Sequence, residues 1–177
     1  MVREIDGSYG ALAAVGYHSP CTSGGHPLSH TLSGKFARSE LDGERLSELV
    51  ISATTAASFG VPLVFLSGDA GLCDEARQRF PEMVTVPTGQ GVGHSTVALP
   101  ADAVVEQIRD GMAEAVRRAP EIRARPRSGP FVLEVRFRVH HDAYRASHYP
   151  GAIAVADDRV RLVAAEWIDV LRALLFW

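Results

Sequence analysis

The fold is decided by Leu46-Ser-Glu-Leu-Val-Ile-Ser-Ala-Thr-Thr-Ala-Ala-Ser-Phe-Gly-Val-Pro-Leu-Val-Phe-Leu-Ser-Gly-Asp69. The spacing predicts a helix over 46–59, with Leu46, Leu49, Val50, Ala53, Ala56 and Ala57 sharing one face. Gly60 ends it, being free to adopt the left-handed conformation that follows a helix. Val61 to Leu66 is then almost continuously apolar, the mark of a strand covered on both faces. Pro62 fits only at its beginning, where no ladder hydrogen bond is lost. Ser67-Gly68-Asp69 leads into a second helix around 70–80. A helix running through glycine into a doubly buried strand is an α/β pattern.

Before this stretch, Ala11 to Val15 is an apolar run and reads as a buried strand. It feeds Gly16-Tyr-His-Ser-Pro-Cys-Thr-Ser-Gly-Gly-His-Pro-Leu-Ser-His30, a loop broken by Pro20, Gly24, Gly25 and Pro27. Residues 31–38 read as a strand, and 39–43 as a hairpin turn in which Asp42-Gly43 tolerates positive φ. Downstream, 83–87 is a short strand, 88–94 a Gly-rich loop and 100–118 a long amphipathic helix. Residues 123–128 form a basic, Pro-containing linker. The alternation of Phe131, Leu133, Val135, Phe137 and Val139 gives a half-exposed strand. A short polar helix over 140–148, a Pro150-Gly151 turn, strands near 152–155 and 159–163 and an apolar helix over 164–177 complete the chain. The expected class is α/β, a mixed three-layer sheet with flanking helices. Residues 1–177 are read as a single domain with a candidate sub-boundary near 120–130. The first strand runs straight into the richest loop, so the chain reads as the back portion of a larger α/β protein.

Composition excludes several classes. The net charge of −3 supplies no basic field for nucleic acid or an anionic membrane. No apolar run reaches the ~18 residues of a membrane helix, and the start MVREIDGSYG lacks a signal-peptide core. Two cysteines, Cys21 and Cys73, are too few for a disulfide framework or a Cys-rich zinc site. A cytoplasmic location follows by default.

The 16–30 loop holds three of the seven histidines, His18, His26 and His30. It follows a strand, where α/β proteins place their ligand sites. His18 is a candidate metal ligand, since neutral imidazole binds zinc when a neighbouring group fixes its tautomer. The plain alternative is a surface-loop histidine, and no standard spacing such as H-x-x-x-H is present. Glu48 lies in the first turn of the 46–59 helix, where the dipole favours any carboxylate; a ligand facing the His loop is the sharper reading. Cys21 with His18 or His30 as base would make a thiol hydrolase, and Ser19 or Ser29 with His a weaker version of it. Cys73 reads as core. The 89–93 glycines lack the Gly-Lys-Ser/Thr ending of a phosphate loop. His140-His141-Asp142 with His148 reads as solvated residues beside a strand end.

Taken in order, these segments resemble the DppA-type D-aminopeptidases, zinc metallopeptidases acting on D-amino-acid peptides. Gly16-Tyr17-His18 with Ser29-His30 resembles that family's Gly-Tyr-His…Ser-His segment, and Ser47-Glu48-Leu49 its Gly-Glu-Leu segment. Val61-Pro-Leu-Val with Ser67-Gly68-Asp69 resembles its Val-Pro-Val…Gly-Asp strand and turn, and Pro150-Gly151 with two strands and a helix its C-terminal end. The resemblance implies the C-terminal part of a larger two-lobed peptidase fold with two zinc ions. It implies that His18 and Glu48 are metal ligands and that His30 is the catalytic histidine, acting as base or nucleophile. It implies a small peptide or amide substrate and a homo-oligomer. The family's Asp-x-Glu ligand pair and a further histidine belong to a first segment without a counterpart here, and the sequence offers no Asp-x-Glu at a strand end. Three explanations follow: a fragment of a longer protein, a complementing subunit that brings the missing ligands, or a catalytically inactive scaffold that binds a partner or ligand.

Overall fold

The computed structural model describes residues 4–177. They divide into two compact units. The first takes in the described residues up to Ser19, then Ser23–Ser29 and Leu49–Arg127; the second takes in Pro20–Thr22, His30–Glu48 and Ser128–Trp177.

The first unit is built on a four-stranded sheet in the order β1-β4-β5-β6. Strands β1 (Leu12–Tyr17), β4 (Leu63–Asp69) and β5 (Val84–Val92) run parallel, and β6 (Ser95–Ala98) returns antiparallel to β5. Every residue of β4 is buried, as its continuous apolar run requires of a central strand. Helix α1 (Glu48–Ser58) is buried continuously from Leu49 to Ala57, so it is covered all round and not on the single face that its spacing indicates. Helix α2 (Ala70–Arg79) follows β4 directly, and α3 (Ala101–Arg118) carries Ile108, Met112 and Ala115 against Val64, Phe65 and Val86. A second cluster joins Leu49 and Ala53 of α1 to Leu66, Leu72, Cys73, Ala76 and Met83.

Two expectations change in this unit. The 11–15 run is not a buried strand: only Ala14 of β1 is buried and Val15 is 54 % exposed. Its sole sheet neighbour among the described residues is β4, so it is an edge strand. The 88–94 segment is not a plain loop. Strand β5 continues through it to Val92, and Gly93-His94 turns the chain into β6. Glycines conceal a strand because they offer no side chains from which alternation can be read.

The second unit holds a five-stranded antiparallel sheet in the order β3-β2-β7-β9-β8. Its strands are β2 (Phe36–Leu41), β3 (Glu44–Arg45), β7 (Phe131–Phe137), β8 (Ala152–Ala156) and β9 (Arg159–Ala164). The class is α/β with mixed strand directions, as expected, but the strands form two sheets. Strand β2 starts later than the 31–38 segment, and Ser39 to Leu41 belong to it, not to the turn. The turn itself is Asp42-Gly43, with φ of 54° and 82°, the left-handed pair that an Asp-Gly hairpin needs. The alternating burial of β7 puts Phe131, Leu133, Val135 and Phe137 inside. Helices α4 (His140–Ser147) and α5 (Trp167–Phe176) pack on this sheet. Phe137 meets Phe36 edge-on, with ring centroids 5.4 Å apart, and lies 6.2 Å from the Trp177 ring.

Candidate metal centre

In the first unit, β1 delivers Tyr17 and His18 at the carboxyl end of the sheet. Tyr17 is tied down by its hydroxyl, 3.1 Å from Ser52 Oγ of α1. Its carbonyl oxygen would lie 2.3 Å from any Cβ added at Gly68, so the Gly-Asp turn must start with glycine for β1 and β4 to run this close. His18 Nδ1 lies 3.1 Å from the Ser19 carbonyl oxygen. A proton on Nδ1 donated there leaves Nε2 with the lone pair that a metal takes.

Asp69 fixes the next residue. Its Oδ2 accepts the Ser19 backbone N–H at 2.5 Å, and its Oδ1 accepts the Ser19 hydroxyl at 2.6 Å and the Leu72 N–H at 2.8 Å. One buried carboxylate thus caps α2 and pins the loop beside His18. Gly25 lies against this clamp, because a Cβ there would meet Ser19 Oγ at 2.2 Å. Behind it, Gly91 of β5 donates its N–H to the Gly25 carbonyl at 2.9 Å. The Gly-rich strand is therefore the backing of the histidine loop, a role the sequence reading missed. The signal available was the glycine density of both segments, which permits backbones to touch.

In the second unit, His30 and Glu48 come together, with Nε2 and Oε1 3.8 Å apart. That is too long for a hydrogen bond. Two donors on one tetrahedral zinc stand about 3.4 Å apart at ordinary Zn–N and Zn–O lengths. At 3.8 Å His30 Nε2 stands beyond that span, beside the Glu48 carboxylate and not paired with it on one ion. Glu48 Oε1 also accepts the Leu32 N–H at 2.8 Å, as ligating carboxylates are commonly held from behind. Leu32 adopts φ of 57° to make that bond, a left-handed conformation that costs a non-glycine residue about 1–2 kcal/mol. Thr31, fully buried, braces the same turn: its Oγ1 accepts the Cys21 N–H at 3.2 Å and lies 3.4 Å from the Leu46 carbonyl oxygen, which it can reach as a donor.

The nucleophile alternatives lose their basis. Cys21 is 1 % exposed, its Sγ 3.8 Å from Ser39 Oγ, so no substrate reaches it. The Ser19 hydroxyl is committed to Asp69, and the Ser29 hydroxyl to the His26 carbonyl at 2.5 Å. His26 Nδ1 accepts the Leu28 N–H at 3.1 Å and shapes the loop. Asp42-Gly43-Glu44 has Asp-x-Glu spacing at a strand end, contrary to expectation. Its Asp42 Oδ1 accepts the Val132 N–H at 2.7 Å, which makes it part of a hairpin and not a ligand pair.

The D-aminopeptidase family profile, M55 among the peptidases, matches residues 1–176. The chain belongs to that family. Among M55 relatives, the D-aminopeptidase of Bacillus subtilis (strain 168) is 22 % identical over 177 residues, which are 99 % of this chain and 64 % of that protein. A solved structure, the Zn-dependent D-aminopeptidase DppA from Bacillus subtilis, described as a self-compartmentalizing protease, is similar with a TM-score of 0.92 at 21 % identity, over 99 % of this chain and 64 % of that one. At that identity the likeness establishes the M55 fold. The chain spans somewhat less than two thirds of the length of either M55 relative.

Proposed function

We propose that this chain carries part of the active site of a zinc-dependent aminopeptidase-like hydrolase of D-amino-acid peptides or related amides. His18 and Glu48 act as metal ligands and His30 as the catalytic histidine. The observation that carries this reading is the His30–Glu48 pair, held at 3.8 Å on a loop whose surroundings match the M55 profile from end to end. Imidazole and carboxylate donors fit zinc. Exposure divides the roles: the His30 side chain is 42 % exposed and open to a substrate, whereas Glu48, at 18 %, is recessed and anchored by Leu32.

Bound zinc would supply Lewis acidity and a water with a pKa lowered toward ~7. His30 Nε2 takes the proton of the attacking water and returns it to the leaving amine. Leu32 N–H keeps Glu48 Oε1 aimed while that proton moves. Two ligands fall short of the three protein ligands usual for catalytic zinc, so the rest of the donor set lies outside these two residues. Homo-oligomeric assembly is part of the proposal, supported by the self-compartmentalizing relative. A cytoplasmic location is supported by two free cysteines. Among the described residues, no helix is long and apolar enough to cross a membrane.

The test is zinc content by mass spectrometry together with hydrolysis of D-alanyl anilides and D-dipeptides, on the natural protein and on His18→Ala, Glu48→Ala and His30→Ala. The first two should lose zinc and turnover. His30→Ala should keep zinc and lose about 10²–10⁴-fold in rate. Zinc content and turnover unchanged in His18→Ala and Glu48→Ala would overturn the proposal.

A further inference from the structure

The antiparallel sheet of the second unit ends on one side at β3 and on the other at β8. The two ends are built differently. Strand β3 is two residues long, and both, Glu44 and Arg45, are charged, which is one way sheet edges are kept from pairing with other chains. Strand β8 reads Ala152-Ile-Ala-Val-Ala156, with neither charge nor proline. Its last four residues are exposed, Ile153 at 61 % and Val155 at 39 %, and a register shift against β9 beside Ala156 is its one irregularity. An edge strand turns alternate backbone N–H and C=O groups outward, and only another strand uses them in series. Helix α4 packs on β8 and β9, with its small Ala143 and Ala146 buried. Between α4 and β8 lies a groove of about 760 Å³, lined by His140, Tyr144 and Ser147 of the helix and by Ala154, Val155 and Ala156 of the strand. Tyr144 is 69 % exposed, and its ring meets that of His148 edge-on with centroids 4.8 Å apart.

We propose that β8 pairs with β8 of a second copy of this chain, antiparallel and centred on Ala154, so that two five-stranded sheets become one. In that register Ile153 lies opposite Val155 of the second copy on one face, and Ala152 opposite Ala156 on the other, apolar on apolar at every position. Charge selects the direction. The exposed Asp157 carboxylate follows the strand and makes no ion pair among the described residues. A parallel pair would set two of these carboxylates side by side, and like charges directly opposed are destabilising. The antiparallel pair sets Asp157 opposite Gly151 of the second copy, in the turn that follows its His148. A second copy also brings what a bare peptide strand lacks. The two-fold axis of such a pair stands normal to the sheet and keeps both α4 helices on one face. With strands ~4.8 Å apart and each α4 over β8 and β9, the helices stand roughly 10–14 Å apart, near the ~8–10 Å of packed helices. His140, Tyr144 and His148, four residues apart on one face of α4, then close the groove of the second copy. This interface gives the homo-oligomer proposed above a place of contact and rests on that part of the proposal alone.

Cysteine cross-linking in the full protein tests the register, because Cys21 and Cys73 are both buried. Opposed Cα atoms of an antiparallel pair are about 4.5–5.5 Å apart, within the roughly 4.4–6.8 Å that a disulfide spans. Ala154→Cys should therefore form a disulfide-linked dimer under mild oxidation, seen on a non-reducing gel. Ala156→Cys alone should not, since two copies of residue 156 stand four steps apart along the strand, roughly 14 Å. Co-expressed with Ala152→Cys, it should cross-link. Adding Ile153→Lys to Ala154→Cys should lower the yield about tenfold or more, as lysine on an edge strand opposes pairing. No cross-link at 154, equal cross-linking at 154 and 156, or a yield that Ile153→Lys leaves unchanged would overturn the proposal. Sedimentation velocity reads the assembly separately: an oligomer that persists while the cross-link fails would sink this interface and leave the homo-oligomer standing. None of these readings involves zinc or peptide turnover, so the hydrolase assignment fails or stands apart from them.

Discussion

Replacing Asp69 tests whether the histidine loop is held by one buried carboxylate. The side chain is 4 % exposed and accepts three hydrogen bonds, two from Ser19 and one from Leu72. In Asp69→Ala, α2 loses its cap, worth about 1 kcal/mol. Ser19 N–H and Oγ–H lose their acceptors in a buried place, at about 1–3 kcal/mol each. A water admitted into the vacated space recovers part of this, so the expected loss is about 3–4 kcal/mol. Asp69→Asn keeps Oδ1 for the Ser19 hydroxyl and Leu72 but turns an amide N–H against the Ser19 N–H, for about 2 kcal/mol. Ser19→Ala removes one bond and its donor together, so it should cost about 1 kcal/mol. Because its partner is the same carboxylate, Ser19→Ala and Asp69→Ala should be non-additive by about 1 kcal/mol or more. Urea unfolding followed by far-UV circular dichroism and by amide exchange in the first unit is the assay, since both tryptophans, Trp167 and Trp177, lie in the second. Zinc affinity on the same variants reads the consequence for His18, which adjoins Ser19. A loss below about 1 kcal/mol in Asp69→Ala, or strict additivity with Ser19→Ala, would refute the clamp.

Gly68→Ala should destabilise by at least about 1–3 kcal/mol, because its Cβ would lie 2.3 Å from the Tyr17 carbonyl oxygen; equilibrium denaturation measures it, and a neutral result would mean that β1 yields freely. Gly91→Ala would place a Cβ 2.8 Å from the Gly25 carbonyl oxygen and the His26 Cα, so it should weaken zinc binding while leaving far-UV dichroism unchanged. Unaltered zinc affinity would show that β5 does not back the loop. Burial pushes the Cys73 thiol up from 9.0 to about 11. The unfolded chain therefore releases this proton near pH 9 while the native protein holds it until about pH 11, so native stability falls as pH rises through that window. Two pH units correspond to about 3 kcal/mol, and Cys73→Ala should remove about that much of the stability lost between pH 9 and 11.

How much of this was legible in the sequence follows from what each signal measures. Periodicity reports burial, so the doubly buried β4 and the alternating β7 were readable from Val61–Leu66 and Phe131–Val139. It reports nothing about which strand is an edge, and the apolar Ala11–Val15 run therefore gave no warning that Val15 faces outward. Nor could it register β5 beyond Pro87, where glycines carry no side chains to alternate. The individual candidate site residues were not legible by local rules at all. Glu48 looks like any acidic residue in a first helical turn, and His30 like any loop histidine, until the turn at Thr31-Leu32 brings them to 3.8 Å. That turn depends on a left-handed leucine and on a buried threonine joined to Cys21, neither of which belongs to a recognisable motif. The order of segments, matched as a whole to a family, singled out Glu48 and His30 as candidates where residue-level chemistry was ambiguous.

The same contrast explains why Asp69 went unassigned. As the end of a Gly-Asp turn it has a sufficient local reason to exist, since aspartate is a favoured helix cap. A cap needs only one oxygen, however, and the cap bond to Leu72 uses Oδ1 alone. The second oxygen, on the Ser19 backbone 50 residues earlier, is what converts a helix start into the anchor of the histidine loop. Serine or asparagine would cap α2 about as well, but neither offers two acceptor oxygens set to receive both Ser19 donors. If the clamp is the reason for aspartate here, then Asp69→Ser, which retains a capping hydroxyl, should leave α2 intact and still loosen the loop. Amide exchange should then accelerate at Ser19 and Gly25 while Leu72 to Ala76 stay protected. Equal acceleration in both segments would mean that the carboxylate serves the helix alone.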